Sequence, residues 1–313
     1  MDEKLAQLTT KKHRLDTYRP LSPELVKNLD NWFRVELTYT SNAIEGNTLT
    51  RAETALVVEK GLTIQGKNLT EHLEATNHAE ALDYVKTLVG KKRQDVTEQD
   101  ILDIHRLILN KIEAGSAGRY RTQHARLTQT DVVLPNPIKV PGLMEGFINW
   151  LVGRNLDHIV KIAADTHYKL VSIHPFADGN GRTSRLLMNL ILMQQGYPPA
   201  IIRKEDRLAY INSLEKAQKG NGLEDFYNLI YSAVDRSLDI YLEAVEPEKE
   251  SIVTINPDQR FYTTKEVAKL LQIDPESVRR YVRSNKLRAV RLGGKFIRID
   301  RADLNKFIER LKS

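Results

Sequence analysis

Between residues 174 and 185 the chain reads His174-Pro175-Phe176-Ala177-Asp178-Gly179-Asn180-Gly181-Arg182-Thr183-Ser184-Arg185. An imidazole, a carboxylate, a Gly-Asn-Gly turn and two guanidiniums share this short segment. The residues that follow, Leu186-Leu187-Met188-Asn189-Leu190-Ile191-Leu192-Met193, predict a helix with a wide apolar face. A glycine-bracketed turn entering a helix offers unpaired N–H groups and the positive end of the helix dipole. That arrangement favours an anion, and phosphate fits it best. His174 suits a general base near neutral pH, because a free imidazole has a pKa of about 6.5. Asp178 suits Mg²⁺, which binds through few carboxylates plus substrate phosphates. Asn180 can donate to a phosphate oxygen, and Gly179 and Gly181 allow close backbone approach. Arg182 and Arg185 lie three apart, so they share roughly one face and add bidentate donors. Taken singly, some of these residues have plain structural readings: His174 could cap the preceding helix, and Asp-Gly is a common turn. Arginines at a helix start oppose the dipole, however, so structure alone gives them little reason to be there. Together the residues suit nucleotidyl or phosphoryl transfer, where positioning and charge stabilisation dominate. No Walker-type Gly-x-x-x-x-Gly-Lys-Ser/Thr and no His-Glu-x-x-His occurs.

The elements that must hold this segment are mainly helical. Ser22-Pro23 supplies an N-cap and first-turn proline for a pattern reaching Ile44, with Gly46 as the stop. Thr50-Arg51-Ala52-Glu53 is a capping box opening a short helix that ends near Gly61. Leu73, Ala75, Ala79, Leu82, Val85 and Leu88 mark another stripe, and a further helix follows Thr97. Periodicity fails between Gly115 and Pro141, where residues 126–134 predict a hairpin ended by Pro135-Asn136-Pro137. Helices resume over 143–152, 156–172, 204–219 and 223–245. The charged, proline-containing stretch Glu246-Pro247-Glu248-Lys249-Glu250 reads as a linker. The expected domains are therefore an N-terminal helical region (1–95), a catalytic core (96–245), a linker (246–259) and a small C-terminal domain (260–313).

Composition narrows the setting. The chain has 313 residues and no cysteine, which excludes disulfides and thiolate metal sites and fits a reducing cytoplasm. No apolar run approaches the roughly 18 residues of a membrane span, and the N-terminus lacks a secretory-signal layout. The expectation is a cytoplasmic protein with no membrane partner. Net charge is +6, yet residues 259–313 hold 15 Lys/Arg against 6 Asp/Glu, a local +9. The rest, with 32 against 35, carries −3. The nucleic-acid question therefore belongs to the tail.

His-Pro-Phe-x-Asp-Gly-Asn-Gly-Arg-x-x-Arg resembles the signature of the Fic domain family at every defining position. The similarity extends through Gly118-Arg119-Tyr120-Arg121 upstream and Gly196-Tyr197-Pro198-Pro199 downstream, covering roughly residues 20–245. The resemblance implies a mainly α, Fic-type helical fold with a β-hairpin flap. It implies transfer of AMP from ATP to a Ser, Thr or Tyr hydroxyl of a protein target or of the chain itself, with pyrophosphate released. It assigns His174 as base and Asp178 as Mg²⁺ ligand. Gly179, Asn180, Gly181 and Arg182 would bind the phosphates, and Arg185 the γ-phosphate. Residues 126–137 would be the flap on which the target docks as an added strand.

Ser41-Asn42-Ala43-Ile44-Glu45-Gly46-Asn47 is similar to the family's inhibitory motif. Ser41 and Glu45 are i,i+4 neighbours on a helix that Gly46 can cap. If that helix lies against the ATP site, Glu45 can pair with Arg185, occupying it and repelling the γ-phosphate. The family also contains members in which this glutamate positions water to remove AMP, and the sequence leaves that activity open. For the adenine, Tyr210 is a candidate ring contact and Gln218 a candidate base-edge partner; Tyr210 also reads as a core tyrosine.

The tail has an N-capped amphipathic helix (Thr263 to Leu271), a short turn and a second helix from Asp274 to Arg283. Paired glycines at 293–294 lie between β-type runs, and a last helix runs from Arg301 to Leu311. This layout resembles the excisionase/MerR-type winged helix-turn-helix. In that family the second helix enters the major groove of duplex DNA, which makes Ser277, Arg279, Arg280 and Arg283 the candidate readers. Lys286, Arg288, Arg291 and Lys295 could neutralise phosphates. Three functions thus stand side by side: an adenylyltransferase self-inhibited through Glu45, a DNA-binding transcriptional regulator with a nucleotide-sensing Fic domain, and a related transferase using another phosphate donor. One chain shows no legible interface, so homo-oligomerisation stays open.

Overall fold

Ser22, Thr50 and Thr97 each begin a helix in the computed structural model by accepting a backbone N–H from the first turn. Thr50 and Thr97 do so within complete capping boxes, as does Asn68, so two orphan donors are satisfied at each of these starts. The structure describes residues 2–126, 130–153, 156–246, 260–271, 273–292 and 296–312. They divide into two units, Met1–Val245 and Glu246–Ser313.

The first unit contains α1 (Asp2–Asp16), α2 (Pro23–Ile44), α3 (Arg51–Lys60), α4 (Leu69–Leu88) and α5 (Glu98–Ile108). It continues with α6 (Val140–Val152), α7 (Ile159–Ile173), α8 (Asn180–Gln194), α9 (Arg207–Gln218) and α10 (Glu224–Val245). α7 and α8 form the most extensive helix pair, joined by the His174–Gly179 turn, and α4 and α5 pack across α8. α8 is buried nearly all round: Leu186, Leu187, Met188, Leu190, Ile191 and Leu192 are at most 1% exposed. A helix buried on nearly every side belongs at the centre of a core, and the His174–Gly179 turn is thereby fixed to a closely packed element. α1 packs along α10 through Leu5, Leu8 and Leu15.

Part of the expected flap hairpin lies outside what is described. Residues 127–129 lie outside the described residues, and Arg126 and 130–136 carry no strand. Arg121 donates to the Gln123 and Pro135 carbonyls on either side of residues 127–129, at 3.1 and 2.6 Å. Asn136 then caps a short 3₁₀ turn leading into α6.

The second unit contains β1 (Phe261–Tyr262), α11 (Thr264–Leu271), α12 (Pro275–Arg283), β2 (Val290–Leu292), β3 (Phe296–Asp300) and α13 (Arg301–Lys312). The antiparallel sheet has the order β1-β3-β2, with Phe261 opposite Asp300 and Val290 opposite Arg298. Tyr262, Val267, Ala268, Val278, Leu287, Ile299, Leu304 and Phe307 form its own core. This is a winged helix-turn-helix, with residues 293–295 of the wing outside the described residues. No helix among the described residues is long and apolar enough to cross a membrane.

Candidate active site

His174 ends α7 in the left-handed conformation, φ 49° and ψ 59°, with its N–H bonded to Leu170 O at 3.0 Å. The strained cap turns the chain sharply and presents a half-buried imidazole beside the start of α8. Burial is the largest influence on this histidine and lowers its pKa. The Val171 carbonyl opposes that shift, Arg121 adds to it, and Glu45 and Asp178 oppose it. A neutral imidazole near pH 7 is ready to accept a proton.

Gly179, at φ 75°, is the N-cap of α8, and the first backbone bond of the helix runs from Thr183 N–H to Gly179 O at 2.9 Å. The N–H groups of Asn180, Gly181 and Arg182 are thereby left at the open end of the helix, a ready anion site. The Asn180 side chain differs from expectation. Its Oδ1 accepts from Phe176 N–H and its Nδ2 donates to Phe176 O, both at 2.9 Å, and the residue is buried. Asn180 therefore closes the turn with its amide and offers the anion site its backbone N–H.

Asp178 is the exposed member of the group. Its side chain is 58% exposed, and Oδ2 accepts from Arg182 Nη2 at 2.7 Å. No cluster of three or more acidic or histidine side chains that could hold a metal occurs among the described residues. A single exposed carboxylate fits a cation whose remaining ligands are substrate phosphate and water. Behind this turn lies a residue the sequence reading passed over. His105 Nδ1 accepts from Gly118 N–H at 2.9 Å, so Nε2 carries the proton and donates to Asp178 O at 3.0 Å. Its ring stacks on Phe176 at 3.6 Å.

Arg185 is buried, and four hydrogen bonds engage its guanidinium. Nε donates to Ser41 Oγ at 2.9 Å, Nη2 to Ser41 O at 3.0 Å and to Glu45 Oε1 at 2.6 Å, and Nη1 to Tyr210 Oη at 3.2 Å. Glu45 is the C-cap of α2, 140 residues away in sequence. Its carboxylate also lies so close over Gly181 that a Cβ there would collide with Oε1. The carboxylate thus sits in the anion site itself, against the helix N-terminus and an arginine. Tyr210 is 1% exposed, and its hydroxyl is shared between Arg185 and His167. It is a core residue whose polar tip steadies the arginine. Gln218 donates to Ser172 Oγ at 3.4 Å. With Glu45, Thr130, His174, Gly181, Tyr210 and other residues it lines a cavity of about 250 Å³. Thr130 of the flap therefore borders the same space as the histidine. Arg121 Nε donates to His174 O at 2.8 Å, which links Pro135 of the flap to the His174 backbone through one guanidinium.

These parts have counterparts in known proteins. Residues 95–192 match the Fic/DOC family and residues 261–312 a helix-turn-helix domain. A solved fragment of Fic-1 from C. elegans is similar at 32% identity and a TM-score of 0.71, covering 78% of this chain and 72% of that one. The chain belongs to the Fic/DOC family. A Fic domain-containing signaling protein from Bacteroides thetaiotaomicron VPI-5482 superposes at a TM-score of 0.70 and 31% identity, covering 77% of this Fic chain and 97% of that protein. A curated relative from Nematostella vectensis, "Protein adenylyltransferase Fic", is 42% identical over 206 residues, which is 65% of this chain and 48% of the relative. The relative of the same name from Aedes aegypti is 40% identical over 212 residues, 67% of this chain and 42% of the relative. The Fic chain thus spans about half the length of these relatives.

The candidate DNA-reading residues lie together on α12. Arg279, Arg280 and Arg283 are exposed and Ser277 is half-buried. Glu276 partly neutralises the group, pairing with Arg279 at 2.9 Å and also with Arg283. Lys286 and Arg288 are exposed; the side chain of Arg291 and all of Lys295 lie outside what is described.

Proposed function

We propose that the protein is an adenylyltransferase that moves AMP from ATP to a hydroxyl of a protein target or of itself, and that Glu45 holds it at rest. The observation that carries this reading is the Glu45 carboxylate in the anion site, 2.6 Å from Arg185 and against Gly181. A carboxylate at a helix N-terminus, paired with a buried arginine, occupies the place of a phosphate group. The names of the curated relatives support the choice of AMP as the transferred group.

In the active state Arg185 is freed for the γ-phosphate, and the open N–H groups of α8 with Arg182 take the neighbouring phosphates. His174 accepts the proton of the target hydroxyl as its oxygen attacks the α-phosphorus, and pyrophosphate leaves. Asp178 would hold Mg²⁺, which would supply positive charge against the phosphates. The target backbone docks along the 130–137 part of the flap, which Arg121 keeps in register with His174. The setting we propose is the cytoplasm. Labelling with radiolabelled ATP tests the reading. Glu45→Gly should raise self-labelling sharply over wild type, and His174→Ala in that variant should abolish it. Equal labelling of wild type and Glu45→Gly would sink the inhibition, and preference for another nucleotide in a panel would change the donor.

A second function, DNA binding, is favoured by α12. Its exposed arginines stand on the second helix of a helix-turn-helix, in a region with a local charge of +9. Duplex binding that weakens with salt, and that is lost on Arg279→Ala together with Arg283→Ala, supports it. Binding unaffected by either change contradicts it.

A further inference from the structure

Glu74, on α4, touches both halves of the switch. Its Oε1 accepts from Arg182 Nη1 at 3.2 Å. Its Oε2 accepts from Asn47 Nδ2 at 2.8 Å, and Asn47 lies two residues beyond Glu45. Its main-chain carbonyl accepts from Asn42 Nδ2 at 3.1 Å, in the last turn of α2. One residue thus holds the segment before Glu45, the segment after it, and a phosphate-site arginine. The Glu74 side chain is 20% exposed and that of Arg182 3%, so these contacts are shielded from bulk water.

Arg182 needs such support. Its Nε is buried without a partner among the described residues, and its other ion-pair partner there, Asp178, is exposed and is the residue expected to turn toward a cation. If Asp178 leaves, Glu74 is the carboxylate that remains to balance a buried guanidinium and keep it aimed at the helix start. With Glu74 removed, Arg182 would cling to Asp178 and compete with the cation for it. The other oxygen matters in the resting state. Asn47 Nδ2 is anchored by Glu74 Oε2 and by Glu71 O at 3.0 Å, and its Oδ1 accepts from Leu49 N–H at 2.9 Å. This pins the chain immediately past Gly46, where the open backbone at φ 105° would otherwise let Glu45 swing.

We propose that Glu74 is a positioning residue that couples the two states of the site, holding Arg182 for the nucleotide with one oxygen and Asn47, and so the inhibitory pose of Glu45, with the other. The inference rests on the adenylyltransferase reading and deepens it. Release of Asn47 leaves both oxygens of Glu74 free for Arg182, so opening of the inhibitory segment and tightening of the phosphate site go together.

Two variants read the two contacts separately. In the Glu45→Gly chain, Glu74→Ala should raise the half-saturating Mg–ATP concentration for self-labelling about tenfold while the saturated rate changes little. In the chain with Glu45 intact, Asn47→Asp keeps the acceptor for Leu49 but sets a carboxylate against Glu74, and basal labelling should rise about fivefold. In the Glu45→Gly chain Asn47→Asp should have no such effect, because no inhibition remains to relieve. Glu74→Gln serves if Glu74→Ala fails to fold. Whichever way its amide turns, one of the two contacts meets donor to donor, so either the half-saturating concentration or the basal rate must move. An unchanged half-saturating concentration in Glu74→Ala, or unchanged basal labelling in Asn47→Asp, overturns the coupling. If Glu45→Gly itself transfers no AMP, the functional reading fails on its own. ATP and Mg²⁺ titrated calorimetrically into the same proteins then decide the inference, and equal affinity with and without Glu74 overturns it.

Discussion

His105 supports the Asp178–Gly179 turn from the core side without facing the anion site. Burial lowers its pKa to about 4, so the neutral tautomer fixed by Gly118 N–H persists through the physiological range. Replacing it with leucine keeps much of the volume but strands a buried N–H and a buried carbonyl, each worth about 1–3 kcal/mol. His105→Leu in the Glu45→Gly chain should therefore lower self-labelling more than about tenfold and shift the urea midpoint downward. A variant with full activity would show that the turn holds itself. His174 makes a different prediction. Burial depresses its pKa, and loss of the Glu45 charge in Glu45→Gly removes one of the influences that opposes the depression. A base must be neutral to act, so labelling by Glu45→Gly should persist on the acid side of an ordinary imidazole. A pH–rate profile with its acid limb centred at or above about 6.5 contradicts this.

In the proposed resting state α2 is the element that silences the site, and its last turn is held by groups from three other helices. Arg185 bonds Ser41 O, Glu74 O accepts from Asn42, and Arg207 Nε donates to Ile44 O at 2.7 Å. These contacts make the C-terminal end of the helix a rigid platform for Glu45. Ser41→Ala removes the acceptor of Arg185 Nε, and basal labelling should rise a few-fold, less than in Glu45→Gly because the ion pair survives. Labelling equal to wild type would place the whole inhibition on Glu45. How much of this was legible in the sequence depended on distance along the chain. The caps at Ser22, Thr50 and Thr97 were readable because each pairs with a residue three positions on. The His174–Arg185 segment was readable because its parts are contiguous, and Glu45 because a known motif carries it. Glu74 and His105 were not, since their partners lie 108 and 73 residues away and nothing local marks either as special. The hydrogen bonds of Arg121 to the Gln123 and Pro135 carbonyls were not legible, because nothing in the alternation along Arg126–Leu134 points to them. Helix α1 was not singled out because few apolar residues, Leu5, Leu8 and Leu15 among them, mark its buried face.

At the scale of the whole molecule the two units differ in how they respond to acid. All eight histidines lie before residue 175, in the first unit, and none in residues 260–312. His78, His105 and His167 are at most 1% exposed. Burial, ahead of the nearby Arg185 charge, pushes His78 and His167 down to about 3, and burial pushes His105 to about 4. Each folded pKa is below the unfolded value of about 6.5, so in this window the unfolded chain binds more protons than the folded one. Stability from these groups is therefore complete above about pH 6.5 and declines as the pH falls through 6.5 toward the folded values. His167 holds the hydroxyl that steadies Arg185, and His78 contacts Thr38 on α2, so the strain of acidification falls on the packing around the switch. Calorimetric scans between pH 7 and pH 5 should show the transition of the larger unit moving down by roughly 10 °C. The transition of the smaller unit, which has no histidine to protonate, should move far less over the same range. His78→Gln should flatten the pH slope of the first transition while leaving the second unchanged. A common shift of both transitions, or a slope indifferent to His78, would assign the acid response to groups other than the buried imidazoles.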